Sequence, residues 1–259
     1  MKDPKRSSIP FVGLHAHSNS SIFDGLGYPQ EHMEFAWENG NDAHALTDHG
    51  NMNGLAHQVL HAEKMQKDGK ILKPLFGIEA YFIPSISGWK NDYEEAQKLK
   101  ELKKKKSTSF VEDESRAIKN LLNRRNHMIL LAQNQKGLNN LFKIISKSYE
   151  SGSFYRYPRI DYRLLKKYNE GIIAASACLG GIYAGDYWRN REKGESAIID
   201  AMLETTEKMQ SILGDRWYGE LQWNAIPEQH ELNSHIIKVS KITGVELIST
   251  ADSHYPNPE

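Results

Sequence analysis

The sequence predicts an α/β fold of seven strands with helices between them. These would form a parallel sheet, curled by right-handed crossovers into a barrel or a doubly wound sheet. Three observations lead there. Strand-like and helix-like segments alternate along the chain. Its 259 residues match the roughly 250 that a single α/β barrel takes. The predicted strands also end in imidazoles and carboxylates, so one end of the sheet gathers the polar chemistry.

Residues 11–18 read as the first strand, followed by a helix over 29–39 with Pro29 suited to its first turn and Asn39-Gly40 stopping it. Residues 42–49 are the second strand. A helix over 53–67 ends at Asp68-Gly69. The third strand, 74–83, is rich in β-branched and aromatic residues. The fourth is 127–132, with a helix over 136–149, and the fifth is 171–176. An amphipathic helix over 195–212 leads to the sixth strand, 217–223. A helix over 227–243 precedes the seventh, 246–252. Residues 85–125 break the rhythm. They are too long for an ordinary connection and read as an insertion, part helical and part mobile. Its run from Lys98 to Lys106, followed by Ser107-Thr108-Ser109, reads first as a solvated face and more sharply as an arm for a phosphate backbone.

Composition excludes some classes. Lys plus Arg and Asp plus Glu are both 33, so any nucleic-acid surface must be local. Cys178 is the only cysteine, which forbids an intrachain disulfide and fits a reducing cytoplasm. No apolar run reaches the ~18 residues of a membrane span, and the opening ten residues lack a signal peptide's apolar core. Neither a G-x-S-x-G elbow nor a Walker A loop is present. His57 and His61 lack the glutamate of H-E-x-x-H. His32, His44, His230 and His235 carry no spacing argument and read as structural.

Two dyads bracket the chain: His15-Ala16-His17 and Asp252-Ser253-His254. Strand residues i and i+2 share a face, so each dyad aims two ligand-type groups the same way. Other strand ends add Asp24, His49, Glu79, His127 and Cys178. Read singly, Asp24 beside Gly25 is a turn residue, Thr47-Asp48-His49-Gly50 a strand-to-helix turn, and Cys178 a small buried hydrophobe. Glu79 in an apolar strand is harder to dismiss, because a buried carboxylate needs a partner or a metal. The set suits zinc, manganese or iron and suits calcium poorly. Nine candidates exceed one tetrahedral site, so two or three metals sharing carboxylates are expected. Metals ~3.5–4 Å apart acidify water and clamp phosphoryl groups, which makes phosphoester hydrolysis the natural chemistry.

Leu14-His15-Ala16-His17-Ser18 followed by Asp24-Gly25 resembles the first motif of the polymerase and histidinol phosphatase (PHP) superfamily, and Leu46-Thr47-Asp48-His49-Gly50 resembles its second. The likeness is closer to the N-terminal PHP domain of bacterial DNA polymerase III alpha subunits, the C-family polymerases. It runs through Asn51-Met52-Asn53-Gly54, Gly77-Ile78-Glu79-Ala80-Tyr81 and His127-Met128-Ile129-Leu130-Leu131-Ala132. It continues through Gly137-Leu138-Asn139-Asn140-Leu141, Ser176-Ala177-Cys178-Leu179-Gly180-Gly181 and Ala251-Asp252-Ser253-His254-Tyr255.

The resemblance implies a distorted seven-stranded (β/α)7 barrel, a single PHP domain over 1–259 with its core at about 11–256. It also implies a cluster of three divalent metals. One ion would take His15, His17, Glu79 and Asp252; a second Glu79, His127 and Cys178; a third Asp24, His49 and His254. The activity implied is a metal-dependent 3′–5′ exonuclease acting through these nine residues on a DNA 3′ end, single-stranded or in a primer–template. The insertion is longer than the family leads one to expect. Because the sequence stops at Glu259, no palm or fingers and no polymerase activity are expected from this chain alone. It would be an excised domain, or one piece of a split gene rejoined by protein splicing, with the remaining polymerase domains as partners. Two alternatives stand beside this: a metal-stabilised structural module, and a stand-alone phosphomonoesterase like histidinol phosphatase.

Overall fold

The computed structural model describes residues 11–105 and 123–257. Its strands are β1 (Ala43–Leu46), β2 (Lys73–Phe82), β3 (Asn126–Ala132), β4 (Phe154–Tyr155), β5 (Tyr157–Ile160), β6 (Ile172–Ala175), β7 (Trp217–Gln222) and β8 (Leu247–Thr250). The helices are α1 (Pro29–Glu38), α2 (Leu55–Lys67), α3 (Ile86–Lys105), α4 (Gln135–Ser148), α5 (Tyr162–Lys167), α6 (Ile182–Asn190), α7 (Glu195–Leu213) and α8 (Pro227–Thr243).

The wall of the barrel runs β1–β2–β3–β6–β7–β8. The expected first strand closes it without forming a regular ladder. Gly13 bridges His44 of β1, and Ala16 bridges Ser253 just beyond β8. Three backbone bonds seal the join: Ala45 N to Gly13 O at 2.7 Å, Thr47 N to Ala16 O at 2.8 Å, and His17 N to Ser253 O at 2.8 Å. The seven expected strands are therefore all in the ring, and the fold is the expected α/β barrel type.

The all-parallel expectation fails at one strand. β3 runs antiparallel to both β2 and β6. Parallel neighbours need a crossover to the opposite end of the sheet, whereas a connection that returns at the same end makes them antiparallel. The segment after β2, which includes α3, returns the chain at the end where β2 stopped. The sequence reading also lacks the β4–β5 hairpin and the helices α5 and α6. The β4–β5 hairpin adds to the far end of β2, pairing Tyr81 with Arg159. Helix α6 has an aromatic, glycine-containing sequence of low intrinsic helicity, and packing sustains it: six of its nine residues are buried. Lys106 and Ser107-Thr108-Ser109, and most side chains of the lysine run, lie outside the described residues.

The two faces of the sheet divide the core. Ile78, Ala80, Phe82, Met128 and Leu130 pack outward with Leu141 and Ile144 of α4 and Met202 of α7. Ile129, Leu131, Ala175 and their neighbours Leu75, Ile173, Tyr218 and Ile248 fill the lower interior. Toward the strand ends, the same inward face turns polar at Glu79 and Glu220, both buried. No described helix is long and apolar enough to cross a membrane.

Candidate metal centre

Asp48, buried behind the first motif, holds the loop that carries it. Its carboxylate accepts from Ser18 N (2.7 Å), Ser18 Oγ (2.8 Å) and Ser21 Oγ (2.9 Å). Gly25 lets that loop fold back: a Cβ there would stand 2.2 Å from Ser18 O. Leu26 N then bonds His254 O at 2.8 Å, so the loop carrying Asp24 is tied to the segment carrying Asp252 and His254.

All nine sequence-predicted residues meet in one cluster with Glu79 at its centre. Glu79 Oε1 lies 2.8 Å from His127 Nδ1 and 3.6 Å from His15 Nε2; its Oε2 lies 2.8 Å from His49 Nδ1 and 3.2 Å from His17 Nε2. Asp252 Oδ1 is 3.0 Å from His15 Nε2 and 3.4 Å from His17 Nε2. On the open side, Asp24 Oδ2 is 2.7 Å from His49 Nε2 and 3.3 Å from His254 Nε2. Cys178 Sγ stands 3.9 Å from Glu79 Oε1 and 3.7 Å from His127 Nδ1. His15, His17 and Glu79 are buried, while Asp24 is about half exposed.

Among the described residues, three triads bring ligand atoms within 4.8 Å of one another: His15, His17 and Glu79; His49, Glu79 and His127; and His17, His49 and His254. His49 thus stands between the second and third expected sets, and closer to Glu79 than Cys178 does.

The backbone is strained where these groups sit. Among the described residues, four other than glycine have left-handed φ: Phe23 (67°), Ala177 (60°), Asp252 (52°) and Arg156 (60°). The first two adjoin Asp24 and Cys178, and the third is itself a candidate ligand. Such conformations cost on the order of 1–3 kcal/mol each and persist where the surrounding structure enforces them.

The electrostatics are those of a cation site. Burial opposes charge on His15, but Glu220, Asp252 and Glu79 outweigh it and hold the imidazole protonated well above its ordinary range. For His17 burial again opposes, yet hydrogen bonds to Asp252 and Glu79 raise it to about 9. Burial of Glu79 and partial burial of Asp252 oppose their charge, but the facing histidines hold both carboxyls well below their usual range. Asp24 is lowered by His49 and His254 against a smaller burial than theirs. The Cys178 thiol is pushed well up by burial and then by Glu79 and Asp252, so it becomes a thiolate only beside a cation.

The donor set fits divalent ions. His15 Nε2 and His17 Nε2 face each other at 3.2 Å, an arrangement that a shared cation suits better than two protons. Asp252 Oδ1 and His49 Nδ1 are buried with close contacts to His15 and Glu79 but no aligned hydrogen bond, as atoms that would face an ion are. The opposite ring nitrogens are anchored: His15 Nδ1 to Glu220 Oε1 (2.7 Å), His17 Nδ1 to Ser21 Oγ (2.8 Å), and His254 Nδ1 to Asp252 O (2.9 Å). Such partners fix which nitrogen is free to ligate.

Sequence reading missed Glu220, Ser21 and Asp48, which stand behind the ligand-type groups. A usable signal existed for Glu220: with Gln222 it places two polar residues at i and i+2 in a strand otherwise built for burial.

Comparison with known proteins agrees with this geometry. A family model for the PHP domain matches residues 13–224. The DNA polymerase III subunit alpha of Aquifex aeolicus is 38% identical over 253 residues, 97% of this chain and 19% of the relative. That of Borreliella burgdorferi is 35% identical over 252 residues, 96% of this chain and 18% of the relative. The chain thus spans about a fifth of the length of these relatives. Among solved structures, a Bifidobacterium adolescentis protein described as a metal-dependent phosphoesterase matches with a TM-score of 0.51 at 13% identity, covering 100% of this chain and 91% of that one, a likeness of fold. This chain belongs to the PHP domain family and is similar, over nearly its whole length, to a segment of DNA polymerase III alpha subunits.

Proposed function

We propose that this chain is the PHP domain of a replicative polymerase alpha subunit and a metal-dependent phosphodiesterase that removes nucleotides from a DNA 3′ end. The convergence of five imidazoles, three carboxylates and a thiol around Glu79 supports this most directly. The reading includes a single domain over 1–259 with an insertion at about 85–125, acting in a reducing cytoplasm beside the remaining polymerase domains, on the same chain or another.

In this reading His15, His17, Glu79 and Asp252 would hold one ion, Glu79, His127 and Cys178 a second, and Asp24, His49 and His254 a third, drawn from zinc, manganese or iron. Ions so held acidify water and offset the charge that develops on a phosphoryl group. The chain's own residues do the rest. Glu220 and Ser21 fix the imidazoles of His15 and His17 so that their Nε2 atoms face inward. Glu79, which faces His15, His17, His49 and His127, is the carboxylate that two such ions would share. Asp24 and His254 stand at the exposed edge, where a strand terminus first arrives.

The test is metal analysis combined with a single-stranded exonuclease assay on wild type, Asp24→Asn and His15→Ala. Both substitutions are expected to lower bound metal and to reduce cleavage at least ~100-fold. Activity that survives both overturns the reading. Faster turnover of a small phosphomonoester than of an oligonucleotide would move the assignment to a phosphomonoesterase.

A second reading has its own observation: the cluster joins the first segment of the chain to the last strand, so bound metal could serve mainly to close the barrel. Metal loading that stabilises the chain while no divalent ion supports cleavage would favour it.

A further inference from the structure

Arg125 lies two residues before His127, beside the metal centre but outside it. Its guanidinium carbon is 3.7 Å from the ring centroid of Tyr157 and 5.3 Å from that of Tyr81. Tyr81 in turn adjoins two of the candidate ligands. Its ring lies near-parallel to His49 at 5.6 Å and edge-on to His127 at 5.5 Å. One aromatic ring therefore separates Arg125 from the ligand-bearing histidines.

The hydrogen bonding of Arg125 is incomplete. Nη1 donates to Asn123 O at 3.0 Å, and Nε is buried with no hydrogen-bond partner. Among the described residues, no carboxylate comes within ion-pair distance of it. Its neighbour Arg159 differs. It is fully buried, and it donates to Tyr155 O (2.8 Å), Tyr157 O (3.0 Å) and Arg124 O (3.3 Å). Arg159 thus ties the β4–β5 hairpin to the segment carrying Arg125, a structural task. Arg125 has no comparable task, yet stacking on Tyr157 fixes its plane.

A half-buried guanidinium held flat, whose Nη2 has no hydrogen-bond partner among the described residues, suits a phosphate, which accepts from such a planar group in a fixed geometry. We propose that Arg125, backed by Tyr157, docks a phosphate of single-stranded DNA next to the one at the metal centre. This rests on the phosphodiesterase reading and assigns its substrate-holding residue.

The test separates binding from cleavage. A fluorescent oligothymidylate with phosphorothioate 3′ linkages is titrated by anisotropy into the metal-loaded full chain, as wild type, Arg125→Ala and Arg125→Lys. Arg125→Ala is expected to retain metal and weaken binding about tenfold, with the log–log salt slope reduced by about 0.7, the value for one single-strand phosphate contact. Arg125→Lys is expected to recover that slope but only part of the affinity, because charge returns without the fork. In cleavage, Arg125→Ala should lower kcat/KM for an oligonucleotide at least tenfold more than for bis(p-nitrophenyl) phosphate, which has no neighbouring phosphate. Equal binding with an unchanged slope, or an equal fall on both substrates, overturns the proposal. Should Arg125→Ala fail to fold, Arg125→Gln, which keeps most of the side chain and removes the charge, decides by the same slope and ratio. A wild type that cleaves neither substrate overturns the phosphodiesterase reading, and the anisotropy arm still decides the role of Arg125.

Discussion

Glu220 Oε1 accepts from His15 Nδ1, from Gln222 Nε2 at 3.1 Å and from Thr250 Oγ1 at 2.5 Å, so three donors depend on one buried oxygen. Replacing it by alanine would leave those donors unpaired and confuse a folding defect with a site defect. Glu220→Gln keeps the shape and removes the charge that makes His15 a better donor to a cation. Partners of this kind are worth 10–100-fold in metal affinity. Chelator competition on Glu220→Gln should show a loss in that range, with wild-type circular dichroism. Unchanged affinity would mean that Glu220 only fills space. At this scale the sequence was most legible where chemistry and spacing coincide. His15-Ala16-His17 and Asp252-Ser253-His254 stand out because period-two placement of ligand-type groups has few other readings. Asp48 hid inside Thr47-Asp48-His49-Gly50, since nothing local tells a carboxylate that grips a loop from one that grips an ion.

Elements were legible in proportion to how far local pattern decides them. α7 and α8 fall at their expected positions because long amphipathic periods specify themselves, and both run into a glycine. The direction of β3 was not legible, because it depends on where a long insertion returns the chain. The β4–β5 hairpin is too short for any period to show and is held through buried Arg159. The seam between β1 and α1 hid a different feature. His44 is buried there, neither ring nitrogen has a hydrogen-bond partner, and its ring stacks 6.3 Å from that of His32 in a cavity of about 340 Å³. Burial, then repulsion from His32, lowers its pKa to about 4. The unfolded chain protonates this group at about 6.5. Between those values the unfolded state binds more protons, so stability falls as pH drops through the window. The cost between pH 7 and 5 is about 2 kcal/mol at most. Urea titrations should show that His44→Leu loses less stability than wild type over that interval. Equal losses would show that His44 does not titrate in this way.

For the molecule as a whole, the notable fact is where the ring is weakest. β2 and β3 share a six-residue register, whereas the segment 13–17 is held to its neighbours by isolated bridges at Gly13 and Ala16. That is also where His15 and His17 meet Asp252 from the other end of the chain. Without a cation, the join must hold buried Glu79 and Glu220 and half-buried Asp252 against imidazoles held protonated. With one, the same carboxylates and imidazoles become ligands and the first and last segments are bound to a common centre. An ion present at a hundred times its dissociation constant adds about 2.7 kcal/mol. For a chain of this size that corresponds to roughly 5–10 °C in Tm. The gain should also be local. On chelation, the amides of His17 and Ser253, which cross the join to Ser253 O and His15 O, are expected to exchange at least tenfold faster. The amides of Ile129 to Ala132, in the ladder between β3 and β6, should hardly change. A uniform loss of protection would mean that metal stabilises the chain as one cooperative unit. No change at His17 would mean that the backbone alone closes the ring, and that the nine side chains gather for chemistry rather than for folding.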